Sequence, residues 1–291
     1  MSVINTNISS SIAQSSLAKN ERALGKAMEQ LSTGKRINSA ADDAAGLAIS
    51  SRMTAQINGL SKAIQNANDG ISMLNTAEGA MVEMTNMLQR MRELALQSAN
   101  GTTTASDRTY INTEYRALAT ELNRIGEKTE WNGNTILDGS AGGSTGASSV
   151  SFQVGANSSD TIAVAFGKFT TTANGSFSKF GSTGSAKTLS AATYTSAASV
   201  SNAAITLIDT AIDAVDSKRA TLGATVNRLT FVTDNLSNVK TNTEASRSRI
   251  MDTDYAAATT ELARTQIVQQ AATAMLAQAN IQPQSVLSLL R

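Results

Sequence analysis

Apolar residues recur along most of this chain at alternating steps of three and four, the spacing that places them on one face of an α-helix. The longest series, Met53, Ile57, Leu60, Ile64, Ala67, Ile71 and Leu74, traces the seam of a coiled coil and continues less strictly through Met81, Met84, Leu88 and Met91. It predicts a helix from about Asp43 to about Ser98, on the order of 80 Å long at the usual rise per residue. Such a helix is a rod rather than an element of an ordinary globular domain. A second seam, Ile111, Tyr115, Leu118, Leu122 and Ile125, follows the polar stretch NGTTTASDR, which supplies a turn and Ser or Thr caps. These two helices are expected to form an antiparallel hairpin. A third long helix is predicted by Ile205, Ile208, Ile212, Val215, Leu222, Val226, Leu229 and Leu236, with Arg219 and Thr233 at the two seam positions that break the rhythm.

Shorter amphipathic stretches occupy the two ends. Ile4, Ile8 and Ile12, then Leu17, Leu24 and Leu31, mark the first; Val268, Ala272, Met275 and Ala279 mark the second. Neither stripe is broad enough to hold a lone helix in water, and the simplest partner for each is the other. The last residues, IQPQSVLSLLR, raise the same problem more sharply, because chain ends fray in water unless something ties them down. Something must bury Val286, Leu287, Leu289 and Leu290. From about Gly139 to Ser199 the helical rhythm gives way to Gly, Ser, Thr and Ala; within it SVSFQVG and TIAVAFG alternate at period two around ANSSD, which predicts one β-hairpin. Its flanks, GSAGGSTGASS and STGSAKTLSAATYTSAAS, read as exposed loop or small appended structure. The fold class is therefore mainly α, a long-helix coiled-coil rod built from both chain ends with a small β-hairpin region.

Composition narrows the chemistry. The chain is 41% hydrophobic but only 4% aromatic, and its 16% charged residues fall below the usual figure of about 25%. That balance suits long helices with neutral polar faces. With no His and no Cys, thiol catalysis, disulfides and most zinc, copper and non-haem iron sites are excluded, and no cofactor is expected. A net charge of +1 without a dense basic run leaves nucleic acid out of the expected partners. The longest apolar runs are a few residues, far short of the roughly 20 that span a bilayer, so no membrane insertion is expected. The stretch MSVINTNISSSIAQSSLAKN has no basic leader, apolar core or cleavage site and is not read as a signal peptide, which by itself implies a cytoplasmic protein.

Five stretches could carry chemistry. In NSAADDAAGLAI, Ser39 with Asp42 ahead of an apolar helix reads as a capping box with Asp in place of the usual Glu or Gln, rather than as an acid/base pair. Asp252 and Asp254 in SRIMDTDY lack a calcium-loop pattern and read as turn or helix-start residues. The glycines of NDGISML and AEGAM match no phosphate loop; inside a helix each costs roughly 1 kcal/mol against Ala, so tight packing or a bend is expected there. In QRMRELALQSAN, Arg90 and Leu94 are four apart and share a helix face, with Glu114 of the hairpin partner roughly level. These residues alone fit a solvated face with a salt bridge; a binding patch needs further warrant.

LSTGKRINSAADDAAGLAISSRM, NANDGISMLNTAEGAM, QRMRELALQSANG and RSRIMDTDYAAATTELARTQIVQQAATAMLAQANIQPQSVLSLLR, in that order, resemble bacterial flagellin, the subunit of the flagellar filament. The resemblance covers roughly residues 1 to 138 and 200 to 291 and implies a compact form with a short variable region. It implies a terminal coiled-coil domain from 1–42 and 255–291 that forms an inner tube, a three-helix rod from 43–138 and 200–254, and a β-hairpin with a short variable outer region at 139–199. A metallopeptidase insert, found in some members, is excluded by the absence of His.

The resemblance further implies an open helical homopolymer outside the cell, serving swimming motility and exported unfolded by the flagellar type III apparatus without a cleaved signal peptide. The terminal residues Ile4, Ile8, Ile12, Leu17, Leu24, Leu31, Val268, Met275, Leu287, Leu289 and Leu290 would then pack on assembly, buried by neighbouring copies. Implied partners are the filament cap and hook-junction proteins, an export chaperone at the C-terminal segment, and the flagellin-sensing Toll-like receptor of hosts. The family's receptor contacts match Gln89, Arg90, Leu94 and Glu114. A hook-filament junction protein, which shares the terminal coiled-coil plan, is the alternative.

Overall fold

In a computed structural model the described residues are 7–141, 149–170, 175–177 and 194–288, with the side chains of 194–199 and 282–288 excepted. In chain order the elements are α1 (Ile8–Thr33), α2 (Ala44–Ala99), α3 (Ala105–Lys128), β1 (Glu130–Trp131), β2 (Asn134–Thr135), β3 (Ser149–Gln153), β4 (Thr161–Ala165), α4 (Tyr194–Met251) and α5 (Tyr255–Ser288). They fall into two compact units, residues 1–57 with 241–291, and residues 58–240. Residues 194–199, expected to be loop or small appended structure, are the first turns of α4.

The unit of residues 58–240 is built on the predicted seams. Leu74, Met81, Met84, Leu88 and Met91 of α2 are closed to solvent, as are Tyr115 and Leu122 of α3 and Ile208, Val215, Leu222 and Leu229 of α4, all in one core. Polar contacts fix the register. Ser98 meets Ser201, Arg92 binds Asp209 at 2.7 Å, and Glu78 lies 4.0 Å from Arg219, so α2 runs back as α4 runs forward and the two helices are antiparallel. The expected α2–α3 hairpin has the same antiparallel sense, since Arg108 reaches Ser98 while Glu114 reaches Arg90.

Local chemistry explains the turn. Thr104 caps α3 in a full capping box with Asp107, whose carboxyl is held below its ordinary value by the bonds from Thr104. The end of α2 is capped from across the hairpin: buried Arg108 donates to the Ser98 and Asn100 carbonyls at 3.0 and 3.2 Å. Along the helices, hydroxyls such as those of Thr76, Thr113 and Thr225 return to the carbonyl four residues earlier. That is how a chain poor in charge carries polar faces that demand no partner. One seam hydroxyl has no such outlet: Tyr115 OH is buried without a partner, and burial pushes its pKa up.

The expected hairpin is β3–β4, antiparallel with Phe152 opposite Ile162 and Val150 opposite Val164. It seats on α2, where a side chain at Gly70 would begin 3.1 Å from the Phe152 ring, so close packing accounts for that glycine. Gly79 faces open space and has no packing reason. Two features are absent from the pattern reading. WNGN forms a second tight hairpin, β1–β2, turned at Asn132 and Gly133 with φ of 50° and 77°, the signs a type I′ turn requires. Beyond it Ile136, Leu137, Phe166, Phe169 and Phe177 are all fully buried or nearly so, and the Phe169 N–H donates to the Leu137 carbonyl at 2.7 Å. Three of the chain's six phenylalanines thus lie in this core, at and just beyond the end of the predicted hairpin. The flanks 142–148 and 178–193 lie outside the described residues.

Candidate assembly surface

In the unit of residues 1–57 and 241–291, α1 and α5 pack against each other, as the amphipathic ends predict. The less exposed positions of α1 include Ser10, Ala13, Leu17, Asn20, Leu24, Ala27 and Leu31; those of α5 include Ala258, Leu262, Thr265, Gln269, Ala272, Leu276 and Ala279. Both series step by three and four, the coiled-coil rhythm. The seam is small and partly polar. Asn20 donates to the Thr265 carbonyl and Asn7 to the Ala279 carbonyl, each at 2.8 Å, and Ser10 donates to the Asn280 side chain at 2.9 Å.

Connections hold the pair at one end. Gly34 ends α1 in the left-handed conformation at φ 69°, and its carbonyl accepts from Thr253 N while Arg36 N donates to the Met251 carbonyl, a short antiparallel bridge. Asp254 caps α5, its carboxylate accepting from Ala256 N at 2.9 Å, as the helix-start reading expects. The capping reading of NSAADDAAGLAI needs correction: α2 starts at Ala44, and the residue that caps it is Asp43, which accepts from Gly46 N at 2.9 Å. Asp42 instead accepts from Asn38 N and Ser39 N and pairs with Lys26 at 2.9 Å.

Its hydrogen bond to Lys26, helped by the backbone donors, holds Asp42 down at about 2. A folded-state value below the unfolded one means that the carboxylate stabilises fully above about pH 4 and loses this contribution as pH falls toward 2. Asp42→Asn is therefore expected to lower the melting temperature at pH 6, with the difference from wild type closing between pH 4 and pH 2. A difference that stays constant across that range would assign the effect to shape rather than charge.

The outward side of α5 is uncharged and carries apolar side chains where a solvated helix would be charged, with Gln266, Gln270, Thr273 and Gln278 exposed among them. On α5, Ile267, Val268, Ala271, Ala274, Met275 and Ile281 are all exposed, Ile267 and Met275 at 66%. No charged residue occurs between Arg264 and Arg291. On α1, Ile8 and Ile12 are each 62% exposed. A helix apolar all round is normally a buried one, and a contiguous exposed apolar face marks an interaction surface.

The expected assembly residues thus divide. Leu17, Leu24 and Leu31 line the α1–α5 seam, while Ile8, Ile12, Val268 and Met275 point away from it, a departure from the single stripe that the pattern drew through Val268 and Met275 with Ala272 and Ala279. Ile267 and Ile281 complete the outward face and escape a search for one stripe; the uncharged run after Arg264 was the available signal. Leu287 falls in the last turns of α5, its side chain outside the described residues, as are Ile4, Leu289 and Leu290.

In the other unit, Gln89 and Arg90 are exposed on α2. Arg90 binds Glu93 and, on α3, Glu114, each at 2.9 Å, and these two carboxylates hold its pKa above the ordinary value. Leu94 does not join them at the surface; it is 2% exposed and belongs to the helix core. Among the described residues no group of three His, Cys, Asp or Glu could hold a metal ion, and no helix is long and apolar enough to cross a membrane.

Comparison with known proteins gives these surfaces a context. Residues 4–142 match the bacterial flagellin N-terminal helical region and residues 205–290 the C-terminal helical region. The chain is 43% identical to a flagellin of Halalkalibacterium halodurans over 289 residues, covering 99% of this chain and 100% of the relative. It is 39% identical to flagellin A of Vibrio cholerae with 99% of both chains covered; that alignment runs to 382 positions, so the relative carries segments with no counterpart here. Among solved structures, one described as a flagellar hook-associated protein from Vibrio parahaemolyticus shares the fold at a TM-score of 0.56 and 17% identity, covering 72% of this chain and 100% of the other. Matches to both helical regions in order, and identity sustained over nearly the whole length, make this chain a member of the bacterial flagellin family, a subunit of the flagellar filament.

Proposed function

We propose that the outward faces of α1 and α5 are the surfaces through which copies of this chain pack in the extracellular filament that the family forms. The observation that carries this reading is the uncharged, exposed apolar face of α5, which water would not select. Head-to-tail contacts that do not close into a ring give an open helical polymer. Burial against neighbours offsets the entropy of ordering the terminal segments, Ile4, Leu287, Leu289 and Leu290 included. The role is structural rather than catalytic.

The same reading gives the tail its other encounters. The chain travels unfolded through the flagellar type III apparatus, meets an export chaperone through its C-terminal segment, and adds beneath the cap, beyond the hook-junction proteins. Full-length chain and a chain lacking residues 282–291 should be offered short filament seeds and followed by electron microscopy and sedimentation. Only the full-length chain is expected to extend them. If neither does, self-assembly through this region is refuted and a junction role, for which the hook-associated likeness offers fold alone, takes its place.

A second reading is favoured by the exposed Gln89 and Arg90 with Glu114 held beside them. We propose that this patch is what the host Toll-like receptor reads, Arg90 presenting a planar donor fork and Leu94 supporting the helix face from beneath. Arg90→Ala with Glu114→Ala is expected to weaken receptor signalling by at least about tenfold in reporter cells. An unchanged dose response would remove the patch from recognition.

A further inference from the structure

We propose that Met275 is a site of oxidative modification whose conversion to the sulfoxide stops this chain from adding to a filament. The inference rests on the reading that neighbouring subunits cover the outward face of α5.

The chain's methionines fall into contrasting environments. Met73, Met81, Met84 and Met91 lie in the helix core at 0 to 5% exposure, closed to dissolved oxidants. Among the described residues the exposed ones are Met28 at 56% and Met275 at 66%. Met275 sits amid Ile267, Val268, Ala271, Ala274 and Ile281, so its thioether is the one readily oxidised group on the apolar outer face of α5. Met28 has charged Lys26 and Glu29 close by in sequence, on a surface that already carries polar groups.

Hydrogen peroxide is oxidant enough. A sulfur lone pair attacks one peroxide oxygen, the O–O bond breaks, that oxygen stays on sulfur, and the hydroxide released takes the proton that oxygen carried and leaves as water. Sulfur loses two electrons and peroxide gains them. In the free subunit the new S=O is solvated and leaves the α1–α5 seam untouched. Covered by a neighbour, it becomes a strong acceptor stripped of water within an apolar contact, which association must then overcome. Oxidation therefore acts on addition rather than on folding, and a sulfoxide reductase reverses it.

The test uses the full-length chain, treated with dilute peroxide, cleared with catalase, mapped by peptide mass and offered to untreated seeds. Met28 and Met275 are expected to gain one oxygen each while the buried methionines do not, helicity is unchanged, and extension slows by at least about tenfold. Met275→Leu should keep extending after the same treatment, Met28→Leu should not, and reductase should restore the oxidised wild type. The proposal is overturned if wild type carrying the Met275 sulfoxide extends seeds at the untreated rate, or if Met275→Leu loses extension as wild type does. If the untreated chain fails to extend seeds, or if Met275 in finished filaments oxidises as fast as in free subunits, the face itself is misread and the proposal goes with it.

Discussion

Ile267→Asp with Val268→Asp is expected to abolish seeded extension while leaving the free chain as helical as wild type. Both residues are exposed on α5, at 66% and 41%, and neither is one of the α1–α5 seam positions. In the free subunit the new carboxylates remain in water, and helix propensity changes by only a few tenths of a kcal/mol at each site. In a filament each would be enclosed by apolar neighbours. Removing an unpaired carboxylate from water costs several kcal/mol, so even one enclosed pair lowers the addition equilibrium by more than about a thousandfold. Circular dichroism reports the fold, and sedimentation with electron microscopy reports extension. Extension at the wild-type rate would mean that this face stays wet in the polymer, and the assembly surface would have to be sought elsewhere. Leu24→Asp is the contrasting substitution, because Leu24 lies in the seam and its loss should reduce helicity before any seed is added.

The seam could be read from sequence where apolar and polar positions contrast, and not where they do not. Along α2 the run from Ile57 to Met91 is bounded by Ser, Asn, Gln and charged residues, so one face alone qualifies as core, and that face is buried apart from the half-buried Ile64 and Ile71. Along α5 nearly every position past Arg264 is Ala, Ile, Val, Leu, Met, Gln or Thr. Periodicity then has no polar side to measure against, and the most apolar stripe, through Val268 and Met275, is the one that faces out. A coiled-coil pair that keeps Asn20, Thr265 and Gln269 in its seam is legible only once the pairing is seen.

Leu94 shows a finer limit. Four residues turn a helix by about 40° past a full revolution, so Arg90 and Leu94 are neighbours on one side of α2, yet that rotation is enough to carry Leu94 from the rim into the core. The aromatic cluster was hidden for a different reason. Phe166, Phe169 and Phe177 are dispersed among Gly, Ser, Thr and Lys, and only the tertiary path of the chain collects them. The Asn132–Gly133 turn, by contrast, carries a short-range hairpin signal, Asn-Gly in WNGN, that a reading made for helical seams passes over.

The same cluster makes one glycine indispensable, and a pair of identical substitutions should show it. Gly79→Ala on α2 meets no atom within 4 Å, so the gain in helix propensity is unopposed and should stabilise the chain by up to about 1 kcal/mol. Gly126→Ala on α3 offers the same gain, but its Cβ would sit 1.9 Å from the Phe169 carbonyl oxygen. That oxygen is backbone, so no rotamer change relieves the contact. Either α3 retreats or the strand-like segment around Phe169 moves, taking Phe166 and Phe169 from positions at most 1% exposed and straining the 2.7 Å bond to Leu137. Overpacking of this kind costs about 1–3 kcal/mol, and a contact this short with backbone belongs at the upper end, so against a gain of up to about 1 kcal/mol a net loss of about 2 kcal/mol is expected in urea denaturation of the full chain. Opposite signs for the two substitutions would show that the glycine in α3 is fixed by the close approach of the aromatic segment. Stabilisation by both would mean that the segment yields freely, and that its three phenylalanines contribute far less to the rod than their burial implies.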